Sequence, residues 1–232
     1  MADEYKLQIY LTRHGETWGN LPSDDSNVNP KTESERHDPG LTLWGLKQAR
    51  LLGERLSLKR FDAIFSSPLI RAVSTAFETT VRQPGGDVSI ELLTDLMETG
   101  TPWSYSGFPL DEIKQLYPCV SSIKSIICIE DWLKAEEDDE CGAYMKRAEH
   151  CIAYFRNRFK NGERIFVVAH GSFNTYLIRA ALGLNNTNDF NFCQENTGLT
   201  KIKYFLDDKA RLSYSNETSH LFAERPNITF TL

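Results

Sequence analysis

Two segments of the sequence carry basic side chains that could bind a phosphate group. Arg13 and His14 follow one apolar run, and Arg71 lies shortly after another. A phosphomonoester is a dianion, and each guanidinium group offers it two parallel, charge-assisted hydrogen bonds. Arg13 and Arg71 are therefore candidates for holding a phosphate while charge redistributes over its oxygens.

The histidine between these arginines is the candidate nucleophile. An imidazole attacks phosphorus through an unprotonated nitrogen, and its ordinary pKa is about 6.5. Neighbouring positive charges lower that pKa, so Arg13 and Arg71 would also keep His14 neutral. A second histidine, His170, and the backbone N–H groups near Gly171 at a predicted helix start are candidate donors to the phosphate oxygens.

These side chains lie where predicted strands end. Residues 6–12 form an alternating, β-branched and aromatic run, and residues 165–169 are wholly apolar, as in a strand buried on both faces. In sheets of parallel strands, ligands bind outside the carboxyl ends of the strands. We therefore expect His14 and His170 to lie at the same edge of a sheet.

Further helices and strands are predicted from the spacing of apolar residues. The first predicted helix follows a cap at Thr42, and three further helices cover residues 69–81, 111–117 and 142–159. A last predicted helix runs from a cap at Ser172 to Leu182. The other predicted strands cover residues 62–66 and 88–92, and a closing hairpin joins residues 199–206 to residues 210–214. This alternation predicts an α/β fold with three layers, in which a mostly parallel central sheet carries helices on both faces.

Composition argues against several classes of partner. The chain has 232 residues, 41% of them hydrophobic, which suits a single domain over residues 1–232. A net charge of -6 argues against a nucleic acid or an anionic membrane surface. The five cysteines include no Cys-x-x-Cys pair, and no apolar run resembles a secretion signal or a membrane span. We expect a cytoplasmic protein with reduced thiols, no metal and no membrane or nucleic-acid partner; its oligomeric state is left open.

Two segments of the sequence are candidates for substrate recognition, one because it has almost no apolar residues and the other because it matches no known pattern. Residues 21–40 are rich in Asp, Ser, Asn, Pro and Glu, and residues 100–141 resemble no known recognition motif. Loops of this length in a folded domain often carry function. We predict that both are insertions at the rim of the site, where they would determine a substrate that the sequence does not identify.

Several of these residues belong to motifs of a known family. The segment Leu11-Thr12-Arg13-His14-Gly15-Glu16-Thr17, with Asn20, resembles the signature of the histidine phosphatase superfamily, which contains phosphoglycerate mutases and many phosphatases. The matching blocks that follow, in the family's order, are Leu41-Thr42 with Gly45 and Gln48-Ala49, Ser66-Ser67-Pro68 with Arg71 and Thr75-Ala76, and Val168-Ala169-His170-Gly171. The resemblance implies a phosphoglycerate mutase-like fold and hydrolysis of a small phosphomonoester through a phosphohistidine, without a cofactor.

The resemblance also assigns roles to individual residues. It implies that His170 and Asn20 donate to the phosphate, and that the glutamate of Leu96-Met97-Glu98 is the general acid that protonates the leaving group. The glycine and aromatic pattern that follows this glutamate in the family is matched only loosely after Glu98, which leaves Asp95 as an alternative.

The main alternative within the family is a phosphoglycerate mutase, which uses the same site but returns the phosphoryl group to a phosphoglycerate. The resemblance implies that a mutase carries basic residues between the glutamate block and the last helix. Residues 130–140 instead contain seven acidic residues against one lysine, Lys134, and would repel a substrate with a second anionic group. The sequence therefore favours a phosphatase.

Two other classes of protein also fit parts of the pattern. A metal-dependent hydrolase would bind zinc through His14, His170, Glu98 and an aspartate, but two nearby arginines disfavour a cation site. A phosphate-binding sensor would keep the pocket without turnover, although it has no need for both a nucleophile and an acid. Activity in the presence of a chelator, and replacement of His14, would separate these classes from a histidine phosphatase.

Overall fold

A computed structural model of the protein describes residues 5–21, 38–83, 89–100, 108–126, 140–184 and 191–224. The strands within these ranges are β1 (Tyr5–Arg13), β2 (Ala63–Ser66), β3 (Ile90–Leu93), β4 (Val120–Lys124), β5 (Glu163–Ala169), β6 (Leu199–Phe205) and β7 (Ala210–Glu217). The α-helices are α1 (Leu43–Leu56), α2 (Ile70–Thr80), α3 (Leu110–Leu116), α4 (Glu140–Arg158) and α5 (Gly171–Leu182).

All seven strands form one sheet in the order β4-β3-β2-β5-β1-β6-β7. The five strands from β4 to β1 are parallel, and β6 and β7 add an antiparallel hairpin beside β1. The carboxyl ends of β1, β2 and β5 therefore lie next to one another. This confirms the predicted α/β fold with a mostly parallel central sheet.

Alternation along β1 explains why helices cover both faces of this sheet. Leu7, Ile9 and Leu11 point into one buried cluster, which includes side chains of α4 and α5. Tyr10 points to the opposite face and packs among side chains of α1 and α2. Since successive side chains of a strand point to opposite faces, one apolar segment supplies both cores. Residues 165–169 of β5 are buried on both faces, as their wholly apolar sequence predicts.

Most element boundaries agree with the predictions to within a few residues, but β4 was not predicted. Val120 is its one fully buried side chain, and the rest of the strand is polar or partly exposed. An edge strand of this kind lacks the apolar alternation by which strands are recognised. Residues 22–37 of the first predicted insertion lie outside the described residues. Of the second, residues 101–107 and 127–139 also lie outside them, whereas residues 108–126 contain α3 and β4. The role of both segments and the single-domain boundaries stay predictions. No helix in the described ranges is long and apolar enough to cross a membrane.

The backbone of the turn after β1 lies directly against the backbone at the start of α1. The N–H group of Thr42 donates to the carbonyl oxygen of Glu16 at 2.9 Å, and Thr42 caps α1 by accepting from the Gly45 N–H group. A Cβ atom added to Gly45 would overlap the Glu16 carbonyl oxygen. A glycine is therefore required here by the close approach of two backbones, and not by its own backbone conformation.

We expect the substitution Gly45→Ala to destabilise the protein and to displace residues 14–16. Overpacking of this kind costs roughly 1–3 kcal/mol. Gly40→Ala is the matched control, because a Cβ there meets no atom within 4 Å. Urea unfolding of both variants is the measurement, and equal stability of the two would contradict the close approach.

Candidate active site

His14 lies directly after β1, and its backbone is held by the neighbouring strand. Its N–H group donates to the Ala169 carbonyl oxygen at 3.1 Å, at the end of β5. The ring is buried, and Nδ1 lies 2.7 Å from the carbonyl oxygen of Gly15. A carbonyl only accepts, so Nδ1 carries the proton and Nε2 carries the lone pair that a nucleophile needs.

Burial and charge both keep this imidazole neutral. The pKa of His14 lies well below its ordinary value of 6.5, first because the ring is removed from water, and then because Arg71 and Arg13 place positive charges near it. This is the effect predicted from the sequence for the two arginines. The structure adds that burial is the larger cause.

His170 directly follows β5 and faces His14. The two ring centroids are 5.1 Å apart with an angle of 61° between the ring planes. Its Nε2 lies 2.8 Å from the hydroxyl of Ser67, which follows β2, while its buried Nδ1 has no hydrogen-bond partner among the described residues. Burial and the nearby charge of Arg71 hold the pKa of His170 well below 6.5 as well. The sequence motif included Ser67 but gave it no role.

Arg13 is the last residue of β1, and its side chain turns towards the start of α5. Nη1 donates to the Gln194 carbonyl oxygen at 3.0 Å, while Nε is buried without an acceptor in the described part of the chain. A Cβ atom on Gly171 would lie 3.4 Å from that Nε, in ordinary van der Waals contact, so the guanidinium lies beside the first residue of α5. Burial lowers the pKa of Arg13, and the acidic side chains of Glu98 and Glu195 partly offset this effect.

Arg71 lies in the first turn of α2 and is anchored by an aspartate that the sequence did not single out. Its Nη1 donates to Oδ1 of Asp38 at 3.0 Å, and the other Asp38 oxygen accepts from the Ile70 N–H group at 2.7 Å. The Asp38 side chain is fully buried. Burial raises its pKa, and the hydrogen bonds from Ile70 and Arg71 oppose that rise. Asp38 falls in the polar segment 21–40, where no periodicity marked it.

Glu98 lies at the N-terminus of α5. Oε1 accepts from the Phe173 N–H group at 3.0 Å and Oε2 from the Ser172 N–H group at 3.3 Å. These are orphan donors of the first helical turn, which carboxylates satisfy well. The prediction that Ser172 caps this helix is therefore wrong: His170 is the N-cap residue, and the Glu98 carboxylate takes the free N–H groups.

The alternative acid, Asp95, faces a different part of the structure. It is fully buried in the short 3₁₀ turn Thr94–Leu96, and its Oδ2 accepts from the Ile126 N–H group at 2.7 Å. The Glu98 carboxylate, in contrast, accepts from N–H groups of α5, the helix that begins after His170. The assignment of the general acid stays a prediction.

A buried arginine on α4 supports the backbone around Glu98. Arg147 donates from Nη2 to the Met97 carbonyl oxygen at 3.1 Å, and its guanidinium carbon lies 3.9 Å from the centre of the Phe173 ring. Burial lowers its pKa to about 10. In the sequence, Arg147 occupies an ordinary polar position of an amphipathic helix. Its place beside Glu98 is therefore seen from its burial in the structure and not from the sequence.

The two remaining predicted phosphate ligands differ in exposure. Asn20 is exposed at the end of a short 3₁₀ turn, and its Oδ1 accepts from the Thr17 N–H group at 3.0 Å. Gly171 begins α5; because Glu98 takes the next two N–H groups, that of Gly171 is the one left in the described first turn. Among the described residues, no group of three or more His, Cys, Asp or Glu is arranged to hold a metal ion.

Two of the other three histidines lie in the described part of the chain. His150 is exposed on α4, and His37 falls outside the described residues. His220 lies behind the site: its Nε2 is 3.0 Å from the hydroxyl of Thr197, whose N–H group donates to the Arg13 carbonyl oxygen at 3.1 Å.

Comparison with known proteins gives matches over nearly the whole chain. The model of the histidine phosphatase superfamily (branch 1) matches residues 9–218. A protein of Hydrogenobacter thermophilus named putative phosphoserine phosphatase 2 is 26% identical over 218 residues, which are 92% of this chain and 97% of that protein.

Solved structures share the fold at lower sequence identity. A mutant phosphoserine phosphatase from Entamoeba histolytica, in complex with phosphoserine, is 23% identical with a TM-score of 0.59, over 93% of this chain and 99% of that one. A putative alpha-ribazole-5'-P phosphatase from Escherichia coli is 20% identical with a TM-score of 0.61, over 91% of this chain and 98% of that one.

We expect the pKa of His14 to rise in the variant Arg71→Gln, because one of the positive charges beside the ring is removed. A lowered pKa keeps the imidazole neutral to lower pH, so the variant should protonate His14 at higher pH than the wild type. NMR titration of ¹³C-labelled histidines measures this directly. Arg50→Gln, which removes an exposed arginine paired with Glu78, should leave the titration of His14 unchanged, and an equal effect of both variants would contradict our account.

Proposed function

The chain belongs to branch 1 of the histidine phosphatase superfamily, and from that premise we propose that it hydrolyses a small phosphomonoester through a phosphohistidine at His14. One observation carries this proposal. Nδ1 of His14 is committed to the Gly15 carbonyl oxygen, which leaves Nε2 unprotonated beside two arginines. A buried neutral imidazole next to fixed positive charges is suited to attack a phosphate that those charges bind.

In the first half of the proposed reaction, Arg13, Arg71, His170 and the Gly171 N–H group bind the phosphate oxygens. Nε2 of His14 donates its lone pair to phosphorus, and the bond between phosphorus and the ester oxygen breaks. The proton that the departing alkoxide needs comes from the carboxyl group of Glu98. The alcohol leaves, and the phosphoryl group stays on His14.

In the second half, water attacks the phosphorus of the phosphohistidine. The carboxylate of Glu98, fixed by two N–H groups of α5, accepts the proton that water loses. The bond between nitrogen and phosphorus breaks, its electron pair returns to Nε2, and inorganic phosphate leaves. A single carboxyl group thus serves as acid and then as base, and neither step requires a metal.

Small phosphorylated metabolites are the substrate class that we propose. The relative that covers most of this chain is named a putative phosphoserine phosphatase, and one solved structure of similar fold holds phosphoserine. These names support phosphoserine as the first natural compound to test. The acidic segment at residues 130–140 supports water, and not a phosphoglycerate, as the acceptor.

The proposed mechanism predicts a phosphoenzyme that depends on His14. With an aryl phosphate and a chelator present, we expect wild-type turnover and an acid-labile, base-stable phosphoprotein, both lost in His14→Ala. His150→Ala, which changes an exposed histidine on α4, should keep both. Phosphate binding without turnover would instead favour a phosphate-binding sensor. Loss of activity with the chelator would favour a metal-dependent hydrolase, and efficient transfer to a phosphoglycerate would favour a mutase.

The role of Glu98 predicts a dependence on the leaving group. Glu98→Gln should slow hydrolysis of phosphoserine by about 10²- to 10⁴-fold, because an alkoxide leaves only with a proton. Formation of the phosphoenzyme from p-nitrophenyl phosphate should fall much less, since its phenolate leaves unaided. Rapid-quench kinetics of both substrates make the comparison, with Glu149→Gln, an exposed glutamate on α4, as control. An equal loss with both substrates would contradict an acid role.

A further inference from the structure

We propose that Asn196 is a positioning residue of this site, which fixes the backbone of the nucleophile and the orientation of the Asn20 amide. The inference rests on the proposed function for its kinetic consequences. Asn196 belongs to the segment just before β6, which carries no motif and to which the sequence assigned no role. In the fold, this segment lies against the carboxyl end of β1, where Asn196 pairs with Arg13 as an isolated parallel bridge.

Three successive contacts tie this segment to the two residues that begin the site. Gln194 accepts from the Arg13 guanidinium at 3.0 Å through its carbonyl oxygen. Thr197 donates its N–H group to the Arg13 carbonyl oxygen at 3.1 Å. Between them, Nδ2 of Asn196 donates to the His14 carbonyl oxygen at 3.0 Å. The segment therefore holds the main chain of the nucleophile on the side away from β5.

The same amide group also reaches Asn20. Nδ2 of Asn196 lies 3.4 Å from Oδ1 of Asn20, which accepts from the Thr17 N–H group as well. An oxygen that accepts these bonds must be the carbonyl end of the Asn20 amide. Its NH₂ end is then the group left to donate to a phosphate, so Asn196 helps to determine which end of Asn20 the substrate meets.

The backbone beside Asn196 is held in an unfavourable conformation. Thr197 has a φ of 58°, in the left-handed region that a β-branched residue rarely adopts, and its side chain is fully buried. Its hydroxyl donates to the Asn196 carbonyl oxygen at 2.7 Å and lies 3.0 Å from Nε2 of His220. Contacts with neighbouring residues therefore hold Thr197 in this conformation. Strained backbone conformations of this kind cluster at functional sites.

The test compares Asn196→Asp and Asn196→Ala with the wild type. The aspartate keeps the shape of the side chain and loses the Nδ2 donor. We expect kcat for an aryl phosphate to fall roughly 10- to 100-fold in both variants, the order that a displacement of about 1 Å produces. Asn161→Ala, which changes an exposed turn residue bonded to Glu163, is the matched control and should keep wild-type kinetics.

A second measurement does not require turnover. Binding of orthovanadate, followed by calorimetry, should weaken in the Asn196 variants by a similar factor, because both His14 and Asn20 lose their alignment. In a double-mutant cycle, the effects of Asn196→Ala and Asn20→Ala on vanadate affinity should be less than additive, since the two amides act as one unit. Thermal unfolding shows in parallel that each variant is folded at the temperature of the assay.

The outcomes separate this inference from the proposed function. If wild-type protein forms no phosphoenzyme, the proposed function fails, and vanadate affinity alone decides the role of Asn196. Unchanged kcat and unchanged vanadate affinity in folded variants would overturn the positioning role. A lowered melting temperature with unchanged kinetics and affinity would also overturn it, because Asn196 would then be merely structural.

Discussion

The parallel pairing of β1 with β5 is the constraint on which the site depends. In this register Arg13 lies beside Ala169, and the His14 N–H group binds the Ala169 carbonyl oxygen. Both strands therefore end at the same level, and the next residue of each is a histidine. A shift of one residue in either strand would send its alternating side chains to the wrong faces of the sheet and separate the two rings.

Burial of positive charge is the main energetic cost of this arrangement. Arg13 and Arg71 lie where water is scarce, and Asp38 is the buried carboxylate that pairs with Arg71. Removing one partner of a buried pair leaves an uncompensated charge, which is strongly destabilising. A phosphate dianion would provide negative charge where these cations converge, and would offset the cost of burying them.

Sequence patterns predict the parts of the site that depend on regular structure. Arg13, His14 and His170 follow strands with clear apolar periodicity, and parallel sheets bring such strand ends together. Asp38, Arg147 and Asn196 act through contacts between segments far apart in the chain, and their own surroundings in the sequence carry no period or motif. The predicted helix cap at Ser172 is wrong, because the carboxylate that accepts from the first N–H groups of that helix belongs to Glu98, on another part of the chain.

The contacts between residues 194–197 and β1 have a consequence for protein synthesis. His14 leaves the ribosome well before β5, α5 and the turn at Thr197, which all lie later in the chain. The groups of β5 and of residues 194–197 that hold the His14 backbone are therefore synthesised long after His14 itself. A chain that ends before β5 lacks the Ala169 carbonyl oxygen and the Asn196 amide that hold the His14 backbone. The proposed chemistry therefore requires that the sheet has closed around its first strand.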